Sequence, residues 1–136
     1  MDPVFWIPTR HSLALGAAQG WFIGLLPIFG IQIPLALLIG SYTRSHLPSA
    51  VLGTFITNPL TVPAILLLQY WMGNRVLRSF GTLGWFNAFE AGVIARLAIQ
   101  LLCGGILSAS IAGIIGYLGV WIFWGLRREE FVDGVV

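Results

Sequence analysis

The chain has 136 residues, 57% of them hydrophobic and only 9% charged, with a mean hydropathy of +0.89. A soluble domain carries roughly 25% charged residues, so a water-soluble core does not account for this composition, which points to one membrane-embedded domain over residues 1–136. Its cations are all arginine, seven against five acids, and their scatter excludes the basic patch of a nucleic-acid-binding surface.

In chain order, residues 1–11 read as an interfacial N-terminus in which Phe5 and Trp6 stand between Pro3 and Pro8, because such aromatics favour the headgroup level. The start Met1-Asp2-Pro3-Val4 lacks the basic region of a secretory signal and is expected to be retained. Ser12 to Tyr42 contains no charged side chain but is interrupted by Pro27, Gly30 and Pro34. A helix from Ser12 to Leu26 is about 22 Å long, too short for a hydrocarbon core of about 30 Å. Proline ends it, and a second half-helix follows from Pro34 to Tyr42, with proline suited to its first turn. Residues 12–42 are thus a first broken element.

Residues 45–74 repeat the theme as a second broken element. The predicted helix over Leu47–Ile56 is interrupted by Thr57-Asn58-Pro59-Leu60-Thr61-Val62-Pro63 and resumes over Ala64–Met72. Paired proline-interrupted segments point to a binding site in transporter-like proteins; two kinked spanning helices are the plain alternative. Residues 75–96 combine Arg75, Arg78, Glu90 and Arg96 with Phe80, Trp85, Phe86 and Phe89, the pattern of an interfacial loop or short amphipathic helix. Residues 97–126 are again free of charge and form the third element, as a tilted span or as a hairpin turning near Gly104-Gly105. Residues 127–136 are a charged tail.

Orientation follows from arginine placement. Three simple spans divide the arginines almost evenly. Two re-entrant hairpins would put Arg10, Arg44, Arg75, Arg78 and Arg96 on one side and leave only Arg127 and Arg128 across. The second split is the more asymmetric, and it favours hairpins with the larger group cytoplasmic.

Gly16, Gly20 and Gly24 recur every fourth residue on one helix face, and Gly104, Ser108, Ala112, Gly116 and Gly105, Ala109, Gly113 make two seams in the third element. Small residues let helix backbones approach closely in lipid. The seams are expected to pack helices within the chain or between copies, and so to support a homo-oligomer. Within the apolar stretches, Gln19, Gln32, Asn58 and Thr61 are the candidate ligand-binding residues, with Arg44 as a charge clamp at the mouth of the site. The rival reading is that these side chains cap backbone groups freed at the breaks formed by Pro27, Gly30, Pro34, Pro59 and Pro63; for Arg44 it is a membrane-edge anchor. Thr54 and Gln69 are expected to do no more than satisfy local structure.

Cys103 is alone, and His11 and His46 have no ligand spacing around them, so neither a disulfide nor a metal site is expected. No catalytic constellation and no cofactor-binding motif is present in the sequence, and the chain is expected not to be an enzyme.

The run Leu15-Gly16-Ala17-Ala18, continued by Gly20-Trp21-Phe22-Ile23-Gly24-Leu25-Leu26-Pro27-Ile28-Phe29-Gly30-Ile31-Gln32, has the pattern G-x-x-x-G-x-x-P-x-x-G-x-Q. Arg44 follows, then N-P-x-T at Asn58, Pro59 and Thr61. In order and spacing these motifs resemble an uncharacterised bacterial membrane family, the domain-of-unknown-function family numbered two thousand and sixty-two. The likeness covers roughly residues 10 to 125 and is strongest through Met72. It implies an integral protein of the bacterial cytoplasmic (inner) membrane. Similar domains joined to glycosyltransferase-like proteins imply an envelope enzyme as a partner.

The expected architecture is therefore an all-α integral membrane protein: two proline-broken helical elements, re-entrant or kinked, facing each other, and a glycine-rich transmembrane element. The expected function is transport or translocation of a small or lipid-linked, anionic ligand at the paired breaks, with membrane lipid around it. An ion channel and a non-transporting scaffold for a glycosyltransferase-type envelope enzyme are the alternatives.

Overall fold

The computed structural model describes the backbone of residues 5–81 and 92–133, with side chains through Arg127. The described residues form five helices and no strand: α1 (Arg10–Leu25), α2 (Gln32–Thr43), α3 (Leu47–Thr54), α4 (Val62–Ser79) and α5 (Val93–Asp133). Much of the expected interfacial loop, residues 82–91 with Glu90, lies outside the described residues, as do residues 1–4 and 134–136 and the side chains of the charged tail after Arg127.

Local chemistry sets the boundaries. The first helix begins two residues before Ser12 because Thr9 and Ser12 form a capping box. The Thr9 hydroxyl accepts from the Ser12 amide at 3.1 Å, and the Ser12 hydroxyl accepts from the Thr9 amide at 3.0 Å. It stops at Leu25, ahead of Pro27, and the return through residues 26–31 needs a positive φ of 93° at Gly30, a conformation open to glycine. Pro34 and Pro63 lie in the first turns of α2 and α4, where a missing N–H costs nothing. α4 runs on through Arg75 and Arg78 to Ser79, beyond the expected limit at Met72, since arginine is a good helix former. α5 is continuous through Gly104-Gly105, so the hairpin alternative for the third element does not hold.

The arrangement is organised along α5. Its C-terminal half packs against α1: a Cβ at Gly113 would lie 3.2 Å from the Ala18 carbonyl oxygen, and one at Gly116 would lie 3.2 Å from the Trp21 ring. Arg10 Nε donates to the Trp121 carbonyl at 2.9 Å. The N-terminal half packs against α4, with Gly104 closed by the Gln69 backbone and Gly73 by that of Gln100. Both α1 and α4 therefore run antiparallel to α5 and follow one another along it, meeting around Leu25, Gln69 and Ser108. On the far side of α1 lies α3, whose Gly53 Cα would stand 2.7 Å from a Cβ at Gly20. Gly16 and Gly24 also abut the α3 segment, so the first glycine seam is filled from within the chain. α2 turns back along α1 and α3.

These contacts correct both uniform topologies. Arg10 and Arg44 lie together at one end of the bundle, with the C-terminal part of α5. The second element does not return: Gly73 and Asn74 pack beside Gln100, which carries Arg75 and Arg78 to the opposite end with Arg96. The first element is a hairpin and the second is a broken crossing.

Alanine dominates the buried apolar residues, and many large apolar side chains lie at the surface. Ala14, Ala36, Ala50 and Ala109 are fully buried, whereas Leu38, Leu52, Leu67 and Ile114 are all more than half exposed. Val93–Arg127 of α5 is long and apolar enough to cross a membrane.

Candidate functional site

Where α1 ends, its last carbonyls have no helical partner, and three segments supply donors to them. Gln32, the first residue of α2, donates from Nε2 to the carbonyls of Gly24 at 3.0 Å and Leu26 at 3.2 Å. Thr57, in the second break, donates its hydroxyl to the same Gly24 carbonyl. Gln69, near the middle of α4, donates from Nε2 to the Leu25 carbonyl at 2.6 Å. The two breaks thus meet around one unwound turn. Pro27 packs on Gly105 and Gln69 reaches Ser108 at 3.5 Å, which places this junction near the middle of the apolar stretch Val93–Arg127.

Gln69 is 1% exposed, and its Oε1 has no hydrogen-bond partner among the described residues. A buried amide oxygen left unmet costs free energy, so this atom is an acceptor ready for a donor or a cation. The sequence marks Gln69 only as local structure and Thr57 only as the first residue of the second break. The signal for Gln69 was there: a glutamine in an otherwise apolar helix must find a partner.

The candidate residues separate. Asn58 and Thr61 are tied into one turn: Asn58 Oδ1 accepts from the amides of Leu60 at 2.9 Å and Thr61 at 3.0 Å, and the Thr61 hydroxyl accepts from the Asn58 amide at 2.9 Å. This is a capping box one turn ahead of α4, and it leaves Asn58, which is exposed, only its amide nitrogen for anything else. Gln32 sits at the junction with its amide nitrogen on two carbonyls. The α2 start beside it has no side-chain cap.

Gln19 and Arg44 are elsewhere, towards the other end of α1. Gln19 donates to the Thr43 hydroxyl at 2.7 Å and accepts from the buried Ser45 hydroxyl at 2.9 Å, holding the α2–α3 link against α1. Arg44 ends α2 in a left-handed conformation, φ 53°, with the amides of Arg44 and Ser45 both on the Gly40 carbonyl. Its side chain is exposed and borders a polar cleft of about 420 Å³ with Thr9, His11, Ser12 and Thr43. A second, almost wholly apolar cleft of about 510 Å³ runs between α1, α2 and α5, lined among others by Phe22, Ile39, Ile114 and Leu118.

The family described as "Uncharacterized protein conserved in bacteria (DUF2062)" matches residues 1–131, and the chain belongs to that family. The chain is also similar to the "Probable potassium transport system protein Kup" of Lacticaseibacillus casei (strain BL23), at 28% identity over 130 residues, 92% of this chain and 19% of that protein. The protein of the same name from Lacticaseibacillus paracasei (strain ATCC 334) matches with the same figures. The chain spans about a fifth of the length of these relatives. No solved structure matches it.

Proposed function

We propose that this family member is an integral protein of the bacterial cytoplasmic membrane and serves as a transport module, carrying a small or lipid-linked anionic ligand past the junction of its two helix breaks. The observation that supports this most is the meeting of both breaks at one unwound turn halfway along the apolar α5 helix. Unwound backbone at that depth is tolerated where protein or a cavity satisfies it, and discontinuous helices around such a point are how transporters build their sites. Membrane insertion is supported by the distribution of residue sizes, alanine inside and leucine outside, which suits packing in lipid rather than in water.

The anionic preference draws on the uncapped start of α2, the positive end of a helix dipole, and on Arg44 at the outer cleft. Gln32 is the candidate ligand contact at the junction. The reading gives the chain no catalytic step. A homo-oligomer and an envelope-enzyme partner belong to the same proposal, with contacts outside the seams, because the α1 glycines are already covered by α3 and Gly104, Gly105, Gly113 and Gly116 by α4, Pro27 and α1.

A cation pathway is the second reading. It is favoured by the unpartnered Gln69 Oε1, beside the negative end of α1, and by similarity to proteins named as potassium transporters. Flux into proteoliposomes loaded with the native protein, measured for potassium and for phosphate- or carboxylate-bearing solutes, separates the two. Anion flux that falls at least about tenfold in Gln32→Leu supports the first; potassium flux sensitive to Gln69→Leu supports the second. No flux of either kind, with stable co-purification of an envelope enzyme, would turn the assignment to a scaffold.

A further inference from the structure

The polar cleft at Arg44 and the apolar cleft beside it meet at two hydrogen-bonded pairs. His11 lines the first and Tyr117 the second, and His11 Nδ1 lies 3.1 Å from the Tyr117 hydroxyl. Thr43 lines the first and Gln19 the second, and they are hydrogen-bonded at 2.7 Å. The two clefts therefore adjoin, one apolar along α1, α2 and α5 and the other bordered by the Arg44 cation.

The polar atoms within the apolar part are already engaged. The Gln19 amide is held by Thr43 and Ser45, the Tyr117 hydroxyl by His11, and the Ser110 hydroxyl donates to the Ile106 carbonyl at 2.7 Å. A polar solute gains nothing there. A hydrocarbon chain does, since burial of apolar surface stabilises in proportion to area, and about 510 Å³ falls within the range of small-molecule sites. Beside it, Arg44 is exposed on a backbone conformation normally left to glycine. A guanidinium there can grip a phosphate with two parallel hydrogen bonds.

We infer that these adjoining clefts together bind one anionic glycerophospholipid, an acyl chain lying in the α1–α2–α5 groove and the headgroup phosphate held by Arg44 beside His11 and Thr43. The lipid comes from the leaflet on the Arg10 and Arg44 side. The inference rests on the membrane placement in the proposed function but not on transport.

The test uses the full chain in nanodiscs of phosphatidylcholine with graded phosphatidylglycerol, retained lipid being counted by native mass spectrometry. One phosphatidylglycerol per chain is expected to persist in preference to phosphatidylcholine. Ser110→Trp fills the groove from an exposed position and is expected to lower retention at least about tenfold. Arg44→Gly suits the left-handed backbone, removes the charge and is expected to weaken phosphatidylglycerol by about tenfold or more, and phosphatidylcholine, whose phosphate charge is offset by its own ammonium, by less. Soluble glycerol phosphate is expected not to compete. Equal retention of the two lipids by the native chain overturns the inference. So does phosphatidylglycerol binding untouched by both variants, or competition by glycerol phosphate, or a groove shown to hold a second copy because Ser110→Trp dissociates a dimer without releasing lipid. The readout counts bound lipid and not flux, so a transport reading that fails leaves this result standing, and the converse holds too.

Discussion

At residues 26–31 the chain is held open by groups from elsewhere: Gln32 from α2, Thr57 from the second break and Gln69 from α4 all donate to the end of α1. At residues 55–61 the hydrogen bonds stay mostly within the turn, where Asn58 and Thr61 cap each other and the Thr61 hydroxyl also donates to the Ile56 carbonyl at 2.8 Å. The first break is a tertiary structure and the second a local one. A ligand or a partner that shifts α4 against α1 thus acts on the first break, while the second keeps its shape and moves as a unit.

The largest effect expected is for Gly20→Leu. A Cβ there meets the Ala50 carbonyl and stands 2.7 Å from the Gly53 Cα, backbone that cannot step aside, so α1 and α3 must part and both breaks lose their alignment. A loss of about 3 kcal/mol or more is expected, seen as a fall of about 10 °C or more in thermal unfolding in detergent. An unchanged melting temperature would mean that the breaks do not depend on this contact. Next comes Gln69→Leu, which leaves the Leu25 carbonyl buried without its donor and should cost about 2 kcal/mol. Hydrogen exchange should quicken around residues 24–26 and not at residues 58–61; a stabilised variant would show instead that the unmet Oε1 dominates and that the first break needs no outside support. Asn58→Ala should cost least, about 1 kcal/mol as for the loss of an N-cap, with faster exchange confined to the Leu60 and Thr61 amides. Loosening of the α1 end in that variant would contradict the self-contained second turn.

This contrast also explains what could be read in advance. Pro27, Gly30, Pro34, Pro59 and Pro63 mark both breaks because each acts through its own backbone, and the Asn-Pro-x-Thr turn is written in four adjacent residues. The all-helical class and the family followed from the same local signals. The side of the molecule on which each half-helix ends was not legible, because it depends on which neighbour α4 chooses: packed on the first half of α5, it crosses; packed beside α3, it would have returned. The seam of Gly16, Gly20 and Gly24 announced a close neighbour without saying which, and the meeting of Thr57 with Gly24 is set by α3 being two turns long. Asn58 and Thr61 were read as ligand contacts from their place at a break; the hydrogen bonds that occupy them belong to the turn itself.

The described helices are unevenly shared along α5. Among the described residues, its C-terminal half is flanked by α1, with α2 and α3 behind, and its N-terminal half chiefly by α4. Two rods side by side have no inside. Beyond the junction, the described residues leave a solute route without a full set of walls, so permeability is a property to measure on the full chain in its membrane assembly.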